Sequence, residues 1–158
     1  MGILDVTDFL VNSDQQPWNL WSWKHRFKVL KYEIVLHMKK NLIVWWSGPW
    51  TGRSNDLGIY NQKLKQILTT ENEKLIADSI YRTNNCIISL KNPTSNFGKR
   101  YNWEIHSISA RLENVNSRLK QYFCLKHFWR HDIKKHKWAF AIIVNLIQIR
   151  MQIHPLRK

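Results

Sequence analysis

The chain has 158 residues, 44% of them hydrophobic, with 25 Lys+Arg against 11 Asp+Glu and a formal net charge of +14. That length and apolar content suit a single domain spanning 1–158 and exclude a small scaffold held by staples. The charge calls for polyanionic partners, nucleic acid first and an anionic membrane surface second.

The opening stretch Ile3 to Val11 is apolar and β-branched enough to predict a strand with Asp5 inside it. No basic segment precedes it, which argues against a signal peptide, and Val6 stands where a myristoylation motif needs Ser or Thr. Asp5 and Asp8 cannot both face one side of a regular strand, so one must be chosen, and Asp5 is taken. Turn residues 12–17 follow. Trp18 to Lys31 interleaves aromatic and basic residues and reads as an irregular arm suited to backbone contact. The nine tryptophans as a group are expected in the core.

Tyr32 to Met38 and Leu42 to Trp46, joined by Lys39-Lys40-Asn41, read as a hairpin that Ser47-Gly48-Pro49 closes. The turn formers of 48–56 lead to a helix over Leu57 to Leu68, where Leu57, Tyr60, Leu64, Ile67 and Leu68 follow helical spacing and Asn55 or Asp56 serves as N-cap. Lys74 to Asp78 is a short apolar strand ending on an acid, and Cys86 to Leu90 is a further strand candidate.

A polar loop over 92–100 precedes a second helix, because Ile105, Ile108, Leu112, Val115 and Leu119 recur every three or four residues. Glu113 lies one residue off that stripe. A basic, His-rich connector, 120–137, leads to a last apolar helix, Trp138 to Met151, expected to be buried. That helix is too short and too interrupted by Asn145 and Gln148 to span a membrane, so no membrane partner is expected. Cys86 and Cys124 form no C-x-x-C pair and fit a reducing compartment. Cys124, His127, His131 and His136 could suggest zinc, but helical histidine spacing in a basic connector more often marks a solvated surface. Strands and helices in this order give an α/β domain with a mixed sheet and helices packed on its faces.

Carboxylates are scarce here, and a lone acid among apolar residues is costly unless something compensates its charge. Asp5 on the first strand, Asp78 at the end of a later one and Glu113 on the following helix can meet near the strand ends, since neighbouring strands lie only about 4.8 Å apart. Three oxygen donors without His or Cys suit Mg²⁺ or Mn²⁺. Two such ions would serve phosphodiester cleavage or strand transfer. Lys120, Lys126, Arg130, Lys134, Lys135 and Lys137, with Arg111 and Arg118 on the preceding helix, could line a groove for nucleic-acid phosphates.

Four strings occur in order: Leu4-Asp5-Val6-Thr7-Asp8-Phe9; Ser47-Gly48-Pro49-Trp50 leading to Ser54-Asn55-Asp56-Leu57; Ile76-Ala77-Asp78-Ser79-Ile80-Tyr81-Arg82; and Glu113 to Lys120 followed by Phe128-Trp129-Arg130-His131-Asp132. Together they resemble the DDE domain of PIF/Harbinger-type transposases over almost the whole chain. The resemblance implies an RNase H-like fold and a metal-dependent DNA endonuclease or transposase, with Asp5, Asp78 and Glu113 as the catalytic, metal-binding triad. Asp56 resembles the family's Gly-x-x-x-D element and is either a further metal ligand or a helix N-cap. Val6 and Ile80 stand where the family's motifs carry glycine. The resemblance further implies DNA as partner, a nuclear location, and room for self-association or a separate DNA-binding protein. It also implies an N-terminal truncation, because the matched pattern starts at its first catalytic strand. A catalytically inactive remnant that binds nucleic acid through its basic surface is the alternative.

Overall fold

The computed structural model describes residues 1–12, 18–68 and 73–156. The predicted turn at 12–17 lies almost wholly outside them. Six strands form one mixed sheet: β1 (Gly2–Leu10), β2 (Trp21–Ser22), β3 (Phe27–His37), β4 (Leu42–Thr51), β5 (Leu75–Ile76) and β6 (Cys86–Ile87). Their order is β2-β3-β1-β5-β6, with β4 also paired to β3. The first four are antiparallel neighbours, whereas β5 and β6 add to the sheet in parallel. Helices α1 (Asp56–Gln62), α2 (Leu64–Ile67), α3 (Asn96–Leu119), α4 (Phe123–Lys126) and α5 (Ile133–Ile153) flank the sheet. This is α/β architecture of the RNase H-like kind.

Alternation along β1 divides the core in two. Ile3, Phe9 and Val11 join Tyr32, Ile34 and Leu36 under α3 and α5, where Leu112, Val115, Phe140 and Ile147 meet them. On the other face Leu4 and Val35 pack with Tyr60, Leu64, Leu75 and Tyr81. No helix among the described residues is long and apolar enough to cross a membrane.

Several predicted boundaries change. The arm over 18–31 is largely structured, because β3 begins at Phe27 and β2 pairs Trp21 with Lys28. The hairpin does not close at Ser47-Gly48-Pro49 either. β4 runs through to Thr51 by a bulge: Glu33 pairs Ser47 and Lys31 pairs Trp50, leaving Gly48 and Pro49 opposite Tyr32. Gly48 has φ +140, and a Cβ there would come within 2.7 Å of the Tyr32 ring. Only glycine fits.

The helix expected over Leu57–Leu68 is two short ones broken at Lys63 (φ −133), with Asn55 rather than Asp56 as N-cap, its side chain accepting from the Gly58 N–H. The loop expected over 92–100 is mostly helix, since Ser95 caps α3 by accepting from the Gly98 N–H. α4 and the first turn of α5 occupy the predicted connector.

α5 is only half buried. His136, Phe140, Ile143, Val144, Ile147 and Met151 face the sheet, while Trp138, Ile142, Ile149 and Ile153 are exposed, because a single sheet face offers cover on one side only. The tryptophans are corrected too: among the described side chains none is a fully buried core residue, and Trp23, Trp103 and Trp138 are largely exposed. Tyr32, Tyr60, Tyr81, Phe9 and Phe140 supply the aromatic core instead.

Candidate functional site

Asp5 sits at the middle of β1, opposite Ile34 of β3 and on the face covered by α3. β5 runs parallel to β1, pairing Ile3 with Ile76, so the chain leaves β5 beside Asp5 and reaches Asp78 two residues later. α3 packs across β1 and β5. Its stripe of Ile105, Leu112, Val115 and Leu119 is buried, which turns the neighbouring Glu113 to the rim of that contact. Asp5, Asp78 and Glu113 therefore line one cavity of about 290 Å³, together with His106 and Ser109 of α3.

The three acids differ in setting. Asp78 and Glu113 are exposed, and Asp78 accepts a hydrogen bond from the Ser79 backbone N–H. Asp5 is the most enclosed, and burial is the main reason its carboxyl is pushed up from 3.8 to about 6, with a smaller rise from the nearby Asp56 charge. Its own backbone neighbour Val6 and the amide of Asn116, which donates to Asp5 Oδ2 at 2.9 Å, pull the other way. None of the three is ion-paired among the described residues, where the pairs are Asp8–His25, Asp56–Lys31 and Glu104–Arg100.

A desolvated carboxylate with no ion-pair partner among the described residues, sharing a cavity with two more acids, offers carboxylate oxygens that a hard divalent ion would stabilise. The carboxylates line the cavity without closing on one point. Among the described residues no group of three His, Cys, Asp or Glu is placed to hold an ion by itself. Val6 and Ile80, standing where glycines were expected, both keep ordinary backbone, since the positive-φ non-glycine residues are Arg26, Asn41 and Asn92.

Asp56 is close enough for its charge to reach Asp5 but is engaged outside the cavity. It begins α1, and its carboxylate accepts from Lys31 Nζ at 3.0 Å; it does not line the cavity of the three acids. Asp8 bonds His25 at 2.8 Å. The zinc alternative finds no grouping among the described residues, and His136 is not solvated: it is fully buried against Tyr32, with Nδ1 2.8 Å from the tyrosine hydroxyl. Burial drops its pKa from 6.5 to about 4.

Two residues have a place at or near the site that the sequence did not assign to them. Asn116, which orients Asp5, stands three residues after Glu113 and so on nearly the same helical face; that spacing was the available signal. Glu33 is completely buried on β3 and accepts from Trp45 Nε1 and Ser47 Oγ, with burial raising its pKa. An acid inside the apolar run Tyr32-Glu33-Ile34-Val35 was its only mark.

The basic residues fall into two groups. Arg111 donates to the Asn41 side chain, and Arg118 bonds Asn114 and the His154 and Pro155 carbonyls, so both tie elements together. Lys120 lies 5.7 Å from the Phe9 ring centroid. Lys126, Arg130, Lys134, Lys135 and Lys137 are exposed and make no ion pair among the described residues. They form a positively charged surface around α4 and the start of α5.

A family model described as DDE superfamily endonuclease matches residues 9–148. The matched span contains Asp78 and Glu113 and begins shortly after Asp5. No curated protein and no solved structure matches the chain.

Proposed function

The chain belongs to the DDE superfamily endonuclease family, and from that premise we propose that it is a metal-dependent DNA endonuclease or transposase catalytic domain of the PIF/Harbinger type. The single observation that carries the reading is the cavity lined at once by Asp5, Asp78 and Glu113, brought from a strand, a strand end and a helix.

In this reading Asp5 is the inner ligand, oriented by Asn116, and Asp78 and Glu113 are outer ligands at the mouth, where substrate enters. One or two carboxylates with water and phosphate oxygens suffice to hold Mg²⁺ or Mn²⁺, so the acids need not close on one point without DNA. Bound ions would supply an activated water or 3′-hydroxyl and stabilise the leaving oxygen of the phosphodiester. The chain's own part is to hold the carboxylates aimed, to seat phosphates on the lysines of α5, and to keep apolar walls behind Asp5.

Asp56 stays with Lys31 as a helix-start acid. DNA as substrate implies work in the nucleus. Choice of DNA ends is assigned to a separate DNA-binding protein, and the pairing of ends to self-association.

The test is nicking of supercoiled plasmid in Mg²⁺ or Mn²⁺. Nicking by the wild type, reduced at least about 100-fold by Glu113→Gln or Asp78→Asn with DNA binding retained, is the expected result. Salt-sensitive binding with no nicking under either ion would overturn the proposal in favour of an inactive, nucleic-acid-binding remnant.

A further inference from the structure

A second cavity, of about 360 Å³, shares no residue with the carboxylate cavity and is lined by Phe123, His127, Phe128, Trp129, Arg130 and His131. Its volume is within the range of small-ligand sites, roughly 300–1,000 Å³. Its floor is fixed to the sheet. Trp129 bridges Val11 at the end of β1, exchanges backbone hydrogen bonds with Leu10 and Asn12, and donates its indole N–H to the Asp132 carbonyl. Its walls, by contrast, stand out into solvent: Phe123 is 77% exposed and Phe128 39%.

The Phe123 ring lies 4.3 Å from that of His127 at 37°, and Phe128 leans on Phe27 at 5.3 Å, so each exposed ring is braced on one side only. Exposed aromatic faces gathered around a cavity are unfavourable in water and mark a binding surface.

The charge around this cavity narrows what it binds. Asp132 is the sole acid after Glu113 in the sequence, and its carboxylate is engaged in capping α5 through the Lys134 N–H. Arg130 lines the cavity, and Lys126, Lys134, Lys135 and Lys137 surround it in sequence without ion-pair partners among the described residues. Flat apolar faces combined with cations and no free carboxylate complement a ligand that carries a planar ring and a phosphate.

We propose that this cavity receives an unpaired nucleobase of a DNA strand, stacked on Phe123 and Phe128, with Arg130 and Lys126 on the adjoining phosphates. The inference rests on the reading of the protein as DNA-binding and adds to it a site for a base out of the duplex stack. Bases inside an intact duplex cannot reach such a cavity, so it selects single strands, frayed ends or flipped nucleotides. Phosphate contacts alone would not make that distinction.

The experiment compares wild type, Phe123→Ala and Phe128→Ala for binding to a single-stranded oligonucleotide carrying 2-aminopurine and to a duplex of the same length. The high exposure of Phe123 makes its removal harmless to folding, which thermal unfolding checks. Expected is quenching of 2-aminopurine by the wild type, and a roughly 5- to 100-fold loss of single-strand affinity in each variant with duplex affinity within about twofold. Equal losses for single strand and duplex, or no quenching by the wild type, would overturn the inference. So would loss of self-association in Phe123→Ala without change in DNA binding, which would make the cavity a protein contact. Plasmid nicking reports separately on the carboxylate site: nicking without quenching sinks only the base site, and quenching without nicking sinks only the nuclease reading.

Discussion

Replacing Asp5 by asparagine should stabilise the metal-free protein, by an amount that depends on pH in a defined way. Burial holds the Asp5 carboxyl at about 6 against an ordinary 3.8. The folded protein therefore takes up this proton more readily than the unfolded chain, so Asp5 imposes its full penalty above about pH 6. The penalty is relieved as pH falls toward 3.8. At 1.36 kcal/mol per pH unit that gap corresponds to about 3 kcal/mol near pH 8, roughly half of that near pH 5, and it largely vanishes toward pH 4.

His136 acts with the opposite sign. Its pKa is lowered to about 4, so the stability it contributes as a neutral buried ring is complete above its unfolded value of 6.5 and is lost as pH falls toward 4. Near pH 5 the two groups act in opposite directions, each by about 1 kcal/mol per pH unit. The wild type should thus show a weaker dependence than Asp5→Asn, which leaves the histidine slope unopposed. The substituted side chain keeps an oxygen to accept from the Asn116 amide, so packing is preserved.

The assay is urea unfolding followed by tryptophan fluorescence in EDTA at several pH values between 4 and 8. A variant no more stable than wild type near pH 8, or a stability gap that does not shrink toward pH 4, would refute the reasoning. Stabilisation by removing a residue of the candidate site is the ordinary trade of stability for function.

Three further outcomes are expected. Tyr32→Phe removes the hydroxyl that meets His136 Nδ1 at 2.8 Å in the closed core, and should cost about 1–3 kcal/mol, read as a lowered urea midpoint. Gly48→Ala meets both the +140 φ and the Tyr32 ring, and should cost about 1–3 kcal/mol or prevent folding; an unchanged thermal midpoint would contradict the bulge geometry. Changing Lys134, Lys135 and Lys137 together to Gln should weaken duplex binding for every sequence alike, and should reduce the slope of log affinity against log salt by about 2 to 3.

The reading from sequence succeeded where local pattern is sufficient. The stripe Ile105, Leu112, Val115, Leu119 identified a buried helix face, and with it the place of Glu113 at its edge. Apolar and β-branched content identified β1, and the hairpin of β3 and β4 followed from the turn between them. It failed where a neighbour far along the chain decides. Ser47-Gly48-Pro49 has turn composition, yet the length of β3 carries β4 past it as a bulge. Loop-like residues 96–100 are helical because Ser95 caps them into α3.

The acid count, the net charge of +14 and the order of motifs are properties of the chain alone, and they were enough to single out Asp5, Asp78 and Glu113. That these three share a cavity while Asp56 is taken up by Lys31 was decided by the tertiary structure, through the parallel placement of β5 beside β1 and the packing of α3 over both. The same holds for the one-sided burial of α5 and the enclosure of His136. Periodicity tells which residues share a face, but what covers that face depends on elements distant in sequence, and the energy of burial is settled only there.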